Sequence, residues 1–284
     1  MTTLVIGARG SVGRHVLDQL LALGKPVRAS ARDPETADLP AGVPVVAADL
    51  TRPATLPAAL DGVRAVFVYA TAGMADFTVA ARAAGVEHVV ALSSGSVLLP
   101  YAHGNAIAEE HRTMERALAA SGLRWTPIRP LVLANNALTW SYSIRTEGVA
   151  RMLHPEAATA PIHERDVAAA AVAALTGRAE SGVVSDLLTG GELLSQRRQA
   201  ELIGEAAGRS VRIEELTEAR AQREFERFGS PAAAASIVEF IVAAARGGSP
   251  ATGTARRILG RPPLPFARWA ADHAATFAQP GTQG

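Results

Sequence analysis

The sequence predicts an α/β protein, a doubly wound parallel sheet followed by a small, mostly helical C-terminal lobe. Two observations predict this fold class. Over residues 1–130, short apolar runs alternate with helical patterns, and glycine or proline separates most of them. Alternation at this spacing requires right-handed crossovers, which bring the strands into one parallel sheet with helices on both faces. After residue 130 the alternation weakens and helical patterns dominate, so residues 131–284 are expected to form a second part.

The first part contains six predicted strands and four predicted helices. Each strand is a short run rich in Val, Ile, Leu or Ala, whereas the helices repeat apolar residues at helical spacing. Gly24, Gly85 and Gly122 follow three of the helices, as is common at a helix C-terminus. The predicted strands are 4–6, 27–32, 43–48, 65–70, 89–92 and 124–129, and the predicted helices are 12–23, 53–60, 75–84 and 105–120.

The second part is predicted to return once to the main sheet. The apolar run 183–188 is expected to be the last strand of that sheet, so the two parts interleave. Residues 131–151 have a mixed pattern, and 211–216 favour one more short strand. The helices predicted in this part are 164–175, 195–207, 218–228, 232–245 and 266–277.

Composition excludes several kinds of site and partner. The chain has 284 residues, 48% of them apolar and 19% charged, with a net charge of +1 and no cysteine. It therefore has no disulfide, thiolate metal ligand or cysteine nucleophile. Its seven histidines show neither His-x-His nor His-Glu-x-x-His, so no metal site is predicted. The balanced charge predicts no nucleic-acid partner.

The N-terminal residues and the apolar runs indicate where the protein works. A strand is predicted to begin within three residues of Met1, which leaves no room for a signal peptide. No apolar run reaches membrane-spanning length, so no membrane partner is expected. We therefore expect a cytoplasmic protein, with a homodimer as one possible assembly.

The strongest functional signal is the glycine-rich turn between the first strand and the first helix. Gly7, Gly10 and Gly13 have the spacing G-x-x-G-x-x-G, which differs from the commoner G-x-G-x-x-G fingerprint. An ordinary glycine-rich loop is the alternative. In this context, however, the turn presents backbone N–H groups and the positive end of a helix dipole to a phosphate. We therefore expect a Rossmann sheet that binds a dinucleotide. The contacts predicted in the turn are Gly7, Arg9, Gly10, Ser11, Val12 and Gly13.

Two arginines favour NADP(H) over NAD(H). Arg32 ends the second predicted strand, where an arginine accommodates the 2′-phosphate of NADP, and Arg9 lies in the glycine turn. Asp33, which follows Arg32, argues mildly for NAD. Asp49 is placed to contact the adenine, with a helix-capping role as the alternative. The other cofactor contacts predicted at the strand ends are Leu50, Ala70, Thr71 and Ser93.

Short motifs along the chain resemble the NmrA-like branch of the atypical short-chain dehydrogenase/reductases. The matching stretches are 7–13, 49–50, 110–118, 121–123, 125–130, Asn136, 166–168 and 260–263. The helix that carries His111 and Glu115 is most similar to that of bacterial NADPH-dependent quinone reductases of this branch. The resemblance implies residues 1–130 as the NAD(P)-binding core and 131–284 as the substrate-binding part. It also implies a family in which reductases stand beside non-catalytic redox sensors, so fold does not fix function.

The sequence departs from the wider superfamily at the Tyr-x-x-x-Lys pair, whose lysine lowers the pKa of the tyrosine. Its only lysine, Lys25, lies in the turn after the first helix. The tyrosines Tyr69, Tyr101 and Tyr142 are followed four positions later by Gly73, Asn105 and Thr146. The resemblance implies that His111 stands where related reductases carry a lysine.

This loss restricts the chemistry that we expect. Reduction of an isolated ketone builds a strongly basic alkoxide, whereas a quinone or conjugated carbonyl gives a delocalised and weaker base that histidine or water can protonate. The hypothesis is therefore NADP(H)-dependent hydride transfer to a small-molecule quinone or conjugated carbonyl. The alternatives are a non-catalytic NADP-binding sensor and a non-redox enzyme of secondary metabolism.

Candidate catalytic and substrate-binding residues follow the fifth and sixth predicted strands. His111 and Tyr101 are the candidate proton donors, and Glu115 is one helical turn from His111 and could orient it. For the substrate, the predicted contacts are Ser94, Asn136, Trp140 and Tyr142. A turn role for Ser94 and core packing for the two aromatic residues are the alternatives. His163 and Asp166 are interpreted as structural.

Overall fold

In the described residues, the strands form one main sheet and two small two-stranded sheets. The computed structural model describes residues 1–69, 72–179 and 181–279. The strands are β1 Thr2–Val5, β2 Val27–Ala31, β3 Val45–Ala47, β4 Val63–Val68, β5 His88–Leu92, β6 Arg124–Pro130, β7 Val149–Leu153, β8 Ala158–Thr159, β9 Leu187–Leu188, β10 Leu194–Ser195 and β11 Arg212–Leu216. Within these ranges seven strands pair in parallel, in the order β3-β2-β1-β4-β5-β6-β9. The predicted fold class is confirmed.

The helices cover both faces of this sheet and build the second part. They are α1 Ser11–Ala22, α2 Leu56–Leu60, α3 Met74–Ala83, α4 Ala106–Ala120, α5 Ser141–Glu147, α6 Glu164–Leu175, α7 Ser181–Val184, α8 Gln196–Ala207, α9 Glu218–Phe225, α10 Pro231–Ala245, α11 Thr254–Leu259, α12 Phe266–Asp272 and α13 Ala274–Phe277. Single 3₁₀ turns or short 3₁₀ helices occupy Pro53–Thr55, Gly95–Leu98, Pro100–Ala102 and Ala134–Trp140. In the described ranges, every helix falls short of the length and apolarity needed to cross a membrane.

Side chains of the central strands alternate between two apolar layers. Val5 of β1 packs with α1 and α6 on one face, whereas Leu4 and Ile6 pack with α2, α3 and α4 on the other. Both faces are buried, which explains why the strands read as continuous apolar runs rather than as alternating ones. Because the strands are parallel, their carboxyl ends meet at one edge, and the side chains that follow them are brought together there.

The last strand of the main sheet is shorter than predicted. The apolar run 183–188 divides into the end of helix α7 and the two-residue strand β9, which pairs with Arg129 and Pro130 of β6. Val184 is fully buried in the layer formed by α1 and α6. Burial in that layer has overridden the strand preference of the valines, so the prediction was wrong for residues 183–186.

The second part adds two small sheets that the mixed pattern of residues 131–151 did not reveal. Strand β7 pairs in parallel with β11, and β8 pairs antiparallel with β10. The predicted helix 266–277 is interrupted at His273, whose ring packs 4.6 Å from that of Trp269, centroid to centroid. Helix α10 packs against α4, which joins this part to the carboxyl edge of the main sheet.

Candidate functional site

The glycine turn after β1 has the shape of a phosphate-binding loop. Gly7 adopts φ +80°, which favours glycine, and the N–H of Gly10 donates to its carbonyl oxygen at 2.9 Å. A Cβ on Gly13 would lie 2.1 Å from the oxygen of Gly7, so a side chain here would displace the turn. Helix α1 then begins at Ser11 with no acidic residue in its first turn, which leaves its positive end available to an anion. These residues fit a dinucleotide diphosphate.

A first cleft of about 650 Å³ opens beside this turn, at the carboxyl ends of β1, β2 and β3. Six predicted cofactor residues line it: Gly7, Arg9, Gly10, Arg32, Asp49 and Leu50. Val12 and Gly13 are buried, so any contact from them to a ligand would have to come from the backbone, whereas Ser11, at the start of α1, is exposed. The predicted contacts Ala70 and Thr71 lie outside the described residues.

The charged groups of the first cleft differ in how far they are already engaged. Arg9 and Arg32 are exposed, and in the part of the chain described here neither has a hydrogen bond or an ion pair. Asp33, by contrast, is held by its own turn, because it accepts from the Thr36 hydroxyl at 2.9 Å and from the N–H of Glu35 at 3.2 Å. The two guanidinium groups are thus available to an anion, whereas Asp33 already accepts two hydrogen bonds within its own turn.

Asp49 is held by the turn that follows β3, and its side chain does not cap either of the short helices that come next. It accepts from both the N–H and the hydroxyl of Thr51, at 3.0 and 2.6 Å, and from Arg52 Nε at 3.1 Å. The Thr51 hydroxyl, with its backbone N–H, holds the pKa of Asp49 below its usual value. Asp49 also lines the first cleft, so a contact with adenine stays a prediction.

A second cleft, of about 450 Å³, adjoins the first, and Tyr69 lines both. Tyr69 follows β4 directly and is 57% exposed. The predicted residues that line the second cleft are Ser93, Ser94, Tyr101, His111, Asn136 and Trp140. Tyr69 was not predicted as a site residue. Its position directly after a central strand is the signal that could have identified it, because side chains at the carboxyl ends of parallel strands line the ligand cleft.

His111 presents an unpaired imidazole to the second cleft. Its Nδ1 atom is buried and has no hydrogen-bond partner. Burial lowers the pKa of His111 below its ordinary value, although the negative charges of Glu110 and Glu115 act in the opposite direction. The ring is therefore mostly neutral near pH 7 and can donate one N–H.

Glu115 does not orient His111 as the sequence suggested. Its carboxylate accepts from Arg129, Nε to Oε1 at 2.8 Å and Nη2 to Oε2 at 2.6 Å, and from the Ser93 hydroxyl at 2.6 Å. Ser93 is 3% exposed, so its hydroxyl is committed to Glu115 rather than to the predicted cofactor contact. Arg129 was missed because no local pattern reveals that β6 and α4 meet at this point.

Tyr101 is engaged by the protein. Its hydroxyl donates to the Gly248 carbonyl oxygen at 3.0 Å. Burial, together with the negative charge of Glu239, raises the pKa of Tyr101 above its ordinary value. Both features make it a weaker candidate for proton donation than His111.

The predicted substrate contacts divide into three groups. Trp140 lines the second cleft and also packs on the core formed by α8 and α12, so its core packing is observed and its contact with a substrate stays a prediction. Asn136 is exposed at the cleft, and the Ser94 hydroxyl pairs with that of Ser96 at 2.8 Å. Tyr142 is 67% exposed and lies outside the cleft, so its prediction as a wall was wrong. Its place on α5 points it to solvent.

Two residues interpreted as structural are buried at the start of α6. Asp166 is fully buried and accepts from Arg261 Nη2 at 2.6 Å and from the N–H of Leu264 at 2.5 Å. His163 caps the same helix by accepting from the N–H of Arg165. In the ranges that the structure describes, no three His, Asp or Glu side chains come together as metal ligands would.

Comparison with known proteins places this geometry in a family. Residues 7–178 match the NAD(P)H-binding family. A (4-alkanoyl-5-oxo-2,5-dihydrofuran-3-yl)methyl phosphate reductase from Streptomyces griseus subsp. griseus is 38% identical over 97% of this chain and 99% of the relative. An NAD(P)H azoreductase from Xenophilus azovorans is 33% identical over 96% and 98%. The structure of an NADPH-dependent quinone oxidoreductase from Escherichia coli has a TM-score of 0.77 at 26% identity, covering 96% and 99%.

The family match covers more than half of the chain, the matches to the two relatives and to the solved structure cover almost all of it, and all agree with the resemblance seen in its motifs. The structure agrees with this assignment, because it has the glycine turn, the parallel sheet and two adjoining clefts at the carboxyl ends of the strands. The chain therefore belongs to the NAD(P)H-binding family and is an oxidoreductase of the NmrA-like, atypical short-chain dehydrogenase/reductase type.

Proposed function

We propose that this protein is an NADP(H)-dependent reductase that transfers hydride to a small-molecule quinone or conjugated carbonyl compound. The observation that carries the proposal is the junction of the two clefts at Tyr69, with the unpaired His111 imidazole in the second. A dinucleotide held by the glycine turn would extend along the carboxyl edge of the sheet toward that junction. When bound, NADPH supplies the hydride.

The preference for NADP(H) over NAD(H) is supported by the charges of the first cleft. Arg9 and Arg32 are open to a ligand, and an arginine grips a phosphate with two charge-assisted hydrogen bonds. Asp33, the residue that could favour the ribose hydroxyl of NAD, already accepts two hydrogen bonds in its own turn, from Thr36 and Glu35. A dinucleotide with the additional phosphate therefore gains contacts that NAD(H) lacks.

The proton donors available in the second cleft favour an acceptor that becomes a weak base. The sequence lacks a Tyr-x-x-x-Lys pair, and the Tyr101 hydroxyl is bound to Gly248. His111 remains as a donor next to the cleft, and its lowered pKa keeps it mostly neutral. The neutral ring can hydrogen-bond a delocalised oxyanion, and its smaller protonated fraction can deliver a proton to it, whereas an isolated alkoxide would need a more abundant acid.

The names of the relatives support the same class of acceptor. The substrate named for the Streptomyces griseus relative contains a 5-oxo-2,5-dihydrofuran ring with an alkanoyl group, which is a conjugated carbonyl. The Escherichia coli structure is named a quinone oxidoreductase. Both acceptors take a hydride and a proton at a conjugated system.

The test is NADPH oxidation with a matched panel of acceptors: benzoquinone, menadione, an acyl butenolide, an isolated ketone and an azo dye. We expect turnover with the quinones or the butenolide and none with the isolated ketone. The azo dye is included because the Xenophilus azovorans relative is named an azoreductase. NADPH binding in calorimetry without turnover of any acceptor would overturn the proposal in favour of a cofactor-binding sensor. Turnover of the ketone alone would overturn the argument from proton donation.

A further inference from the structure

One wall of the second cleft is built from apolar side chains of the second part. Phe225 and Phe228 come from the end of α9 and the residues after it, and Ile237, Phe240 and Ile241 come from α10. Phe228 is 66% exposed, although it lines the cleft. An apolar ligand group that covered this wall would remove phenyl and aliphatic surface from water, which is favourable.

The polar groups near this wall are already satisfied within the protein. The Tyr101 hydroxyl donates to Gly248, and Asn105 Nδ2 donates to Glu239 Oε2 at 2.9 Å and to the Ser236 carbonyl oxygen at 3.3 Å. The Ser236 hydroxyl donates within its own helix and accepts from the N–H of Ala106. By contrast, His111 Nδ1 has no hydrogen-bond partner, and His111, Tyr69 and the exposed Asn136 line the same cleft.

The one guanidinium that lines the second cleft within the described ranges is neutralised by carboxylates. Arg151 of β7 donates to Glu147 through both terminal nitrogens and to Glu214 through Nε at 3.0 Å. The pKa of Arg151 is raised by these partners, the bond from Glu147 first, so the side chain stays charged and paired. A phosphate monoester in this cleft would meet an arginine that is already paired with two carboxylates, and no other arginine or lysine lines the cleft within the described ranges.

We propose that the second cleft selects a neutral conjugated acceptor that carries an apolar tail, with the tail against α9 and α10, and that it discriminates against phosphate esters. This inference rests on the proposed reductase function and specifies its substrate class. It separates the chain from its Streptomyces griseus relative, whose named substrate is a phosphate ester. The conjugated end faces His111, and the tail extends along the wall that contains Phe228.

The test uses one quinone ring with alkyl tails from methyl to octyl, and the same tails ending in phosphate. We expect kcat/KM to rise by at least roughly tenfold from methyl to octyl, since each buried methylene contributes to binding. Phosphate-ended tails should be used at least roughly tenfold less well than neutral tails of equal length. In parallel, calorimetry with the corresponding hydroquinones and oxidised cofactor should show Kd falling with tail length.

Two variants, each with a matched control, test which residues cause the dependence on tail length and the discrimination against phosphate. Phe228→Ser should flatten the dependence on tail length, whereas Val79→Ser, an equally exposed apolar position on α3 outside the cleft, should leave that dependence intact. Glu147→Gln should free Arg151 and raise the use of phosphate-ended tails relative to neutral ones by roughly three- to tenfold. Glu201→Gln, which alters a surface pair with Arg198, should leave the ratio unchanged.

The outcomes distinguish this inference from the proposed function. If neither the quinones nor the butenolide are reduced, the reductase proposal fails. If short and long tails are reduced equally, or if phosphate-ended tails are preferred by the wild-type protein, the reductase proposal stands and the inference about the substrate class is wrong. Equal effects of Phe228→Ser and Val79→Ser would also contradict it.

Discussion

Arg129 of β6 holds Glu115 of α4 in a two-fold hydrogen-bonded ion pair, 2.8 Å from Nε to Oε1 and 2.6 Å from Nη2 to Oε2. Their side chains are only 16% and 14% exposed. Ser93, which follows β5, donates to the same carboxylate, so two strand ends are fastened to one helix at the cleft. The pair therefore fixes α4, and with it the position of His111 one turn earlier.

Removing one partner of this pair should destabilise the protein more than removing both. Arg129→Met leaves a poorly solvated carboxylate, and we expect a loss of about 2–4 kcal/mol in the free energy of unfolding. Glu115→Gln should lower stability in the same direction. The double variant should lose less than the sum of the single variants, because neither charge then lacks its partner. Urea unfolding measures all three, and additive losses would contradict the coupling.

Local patterns predicted the parts of the site that a single segment determines. The conformation of the turn from Gly7 to Gly13 is determined locally, because a strand, three glycines and a helix N-terminus follow one another in the chain. Arg32 could be assigned to the same cleft because the end of the second strand has a fixed place in this fold. The parallel pairing of the main sheet followed from the alternation of strands and helices.

The parts that were missed depend on contacts between distant segments. The contact of Arg129 with Glu115 joins residues on different elements, and the sequence near neither residue indicates it. Tyr142 is aromatic within a mixed stretch, but the start of α5 turns it to solvent, and only the packing of α5 decides this. Val183 and Val184 favour a strand locally, yet burial against α1 and α6 places Val184 in a helix.

His111 should control the pH dependence of quinone reduction. Its pKa lies below 6.5, so the protonated, acidic form becomes more abundant as the pH falls from 8 to 6. If His111 delivers the proton, kcat/KM should rise over this interval, and the rise should disappear in His111→Gln. Near pH 7 we expect His111→Phe to lower kcat/KM by roughly tenfold to a hundredfold, at the low end of general acid catalysis.

Tyr101→Phe serves as the comparison for His111. Because the Tyr101 hydroxyl is bound to Gly248 and its pKa is raised by burial, its removal should change kcat/KM by less than roughly threefold and leave the pH profile intact. If kcat/KM of the wild-type protein did not depend on pH, or if Tyr101→Phe had a larger effect than this, His111 would not be the proton donor.

Arg32→Ala should reduce the preference for NADPH over NADH. Loss of a charge-assisted contact to the additional phosphate should raise the KM for NADPH by roughly ten- to a hundredfold and change the KM for NADH little. The control is Arg64→Ala, which removes an arginine paired with Glu87 near the amino end of β4, opposite the cleft. Steady-state kinetics with both cofactors give the ratio, and an unchanged ratio in Arg32→Ala would exclude this arginine as its source.

Gly13→Ala should damage the cofactor turn. The added Cβ would lie 2.1 Å from the oxygen of Gly7, so the turn must shift or the helix must move away. We expect a loss of stability of about 1–3 kcal/mol from overpacking and at least tenfold weaker NADPH binding by calorimetry. Gly253→Ala, whose Cβ would meet only the Arg257 guanidinium at 3.5 Å, should change neither. Normal NADPH affinity in a folded Gly13→Ala protein would argue against the role of this turn.

His88 should make the protein less stable in mild acid. It is 3% exposed in β5, pairs with the Thr126 hydroxyl at 2.9 Å, and has an unpaired Nδ1. Burial, and next the charge of Arg124, lowers the pKa of His88 from 6.5 to about 4. Between these two values the unfolded chain binds a proton at His88 that the folded chain does not, so stability falls as the pH decreases. At pH 4.5 this amounts to about 2–3 kcal/mol.

His88→Gln isolates this contribution from other titrating groups, since it keeps a hydrogen-bonding side chain beside Thr126 but cannot be protonated. Urea unfolding at pH 7 and pH 4.5 should show a smaller loss of stability on acidification in His88→Gln than in the wild-type protein, by the same amount. His103→Gln, at an exposed loop position, should lose as much stability as the wild type. If the free energy of unfolding fell equally in the wild-type protein and in His88→Gln, the pKa of His88 would be the same in the folded and unfolded chains. That result would contradict the effect of burial on this histidine.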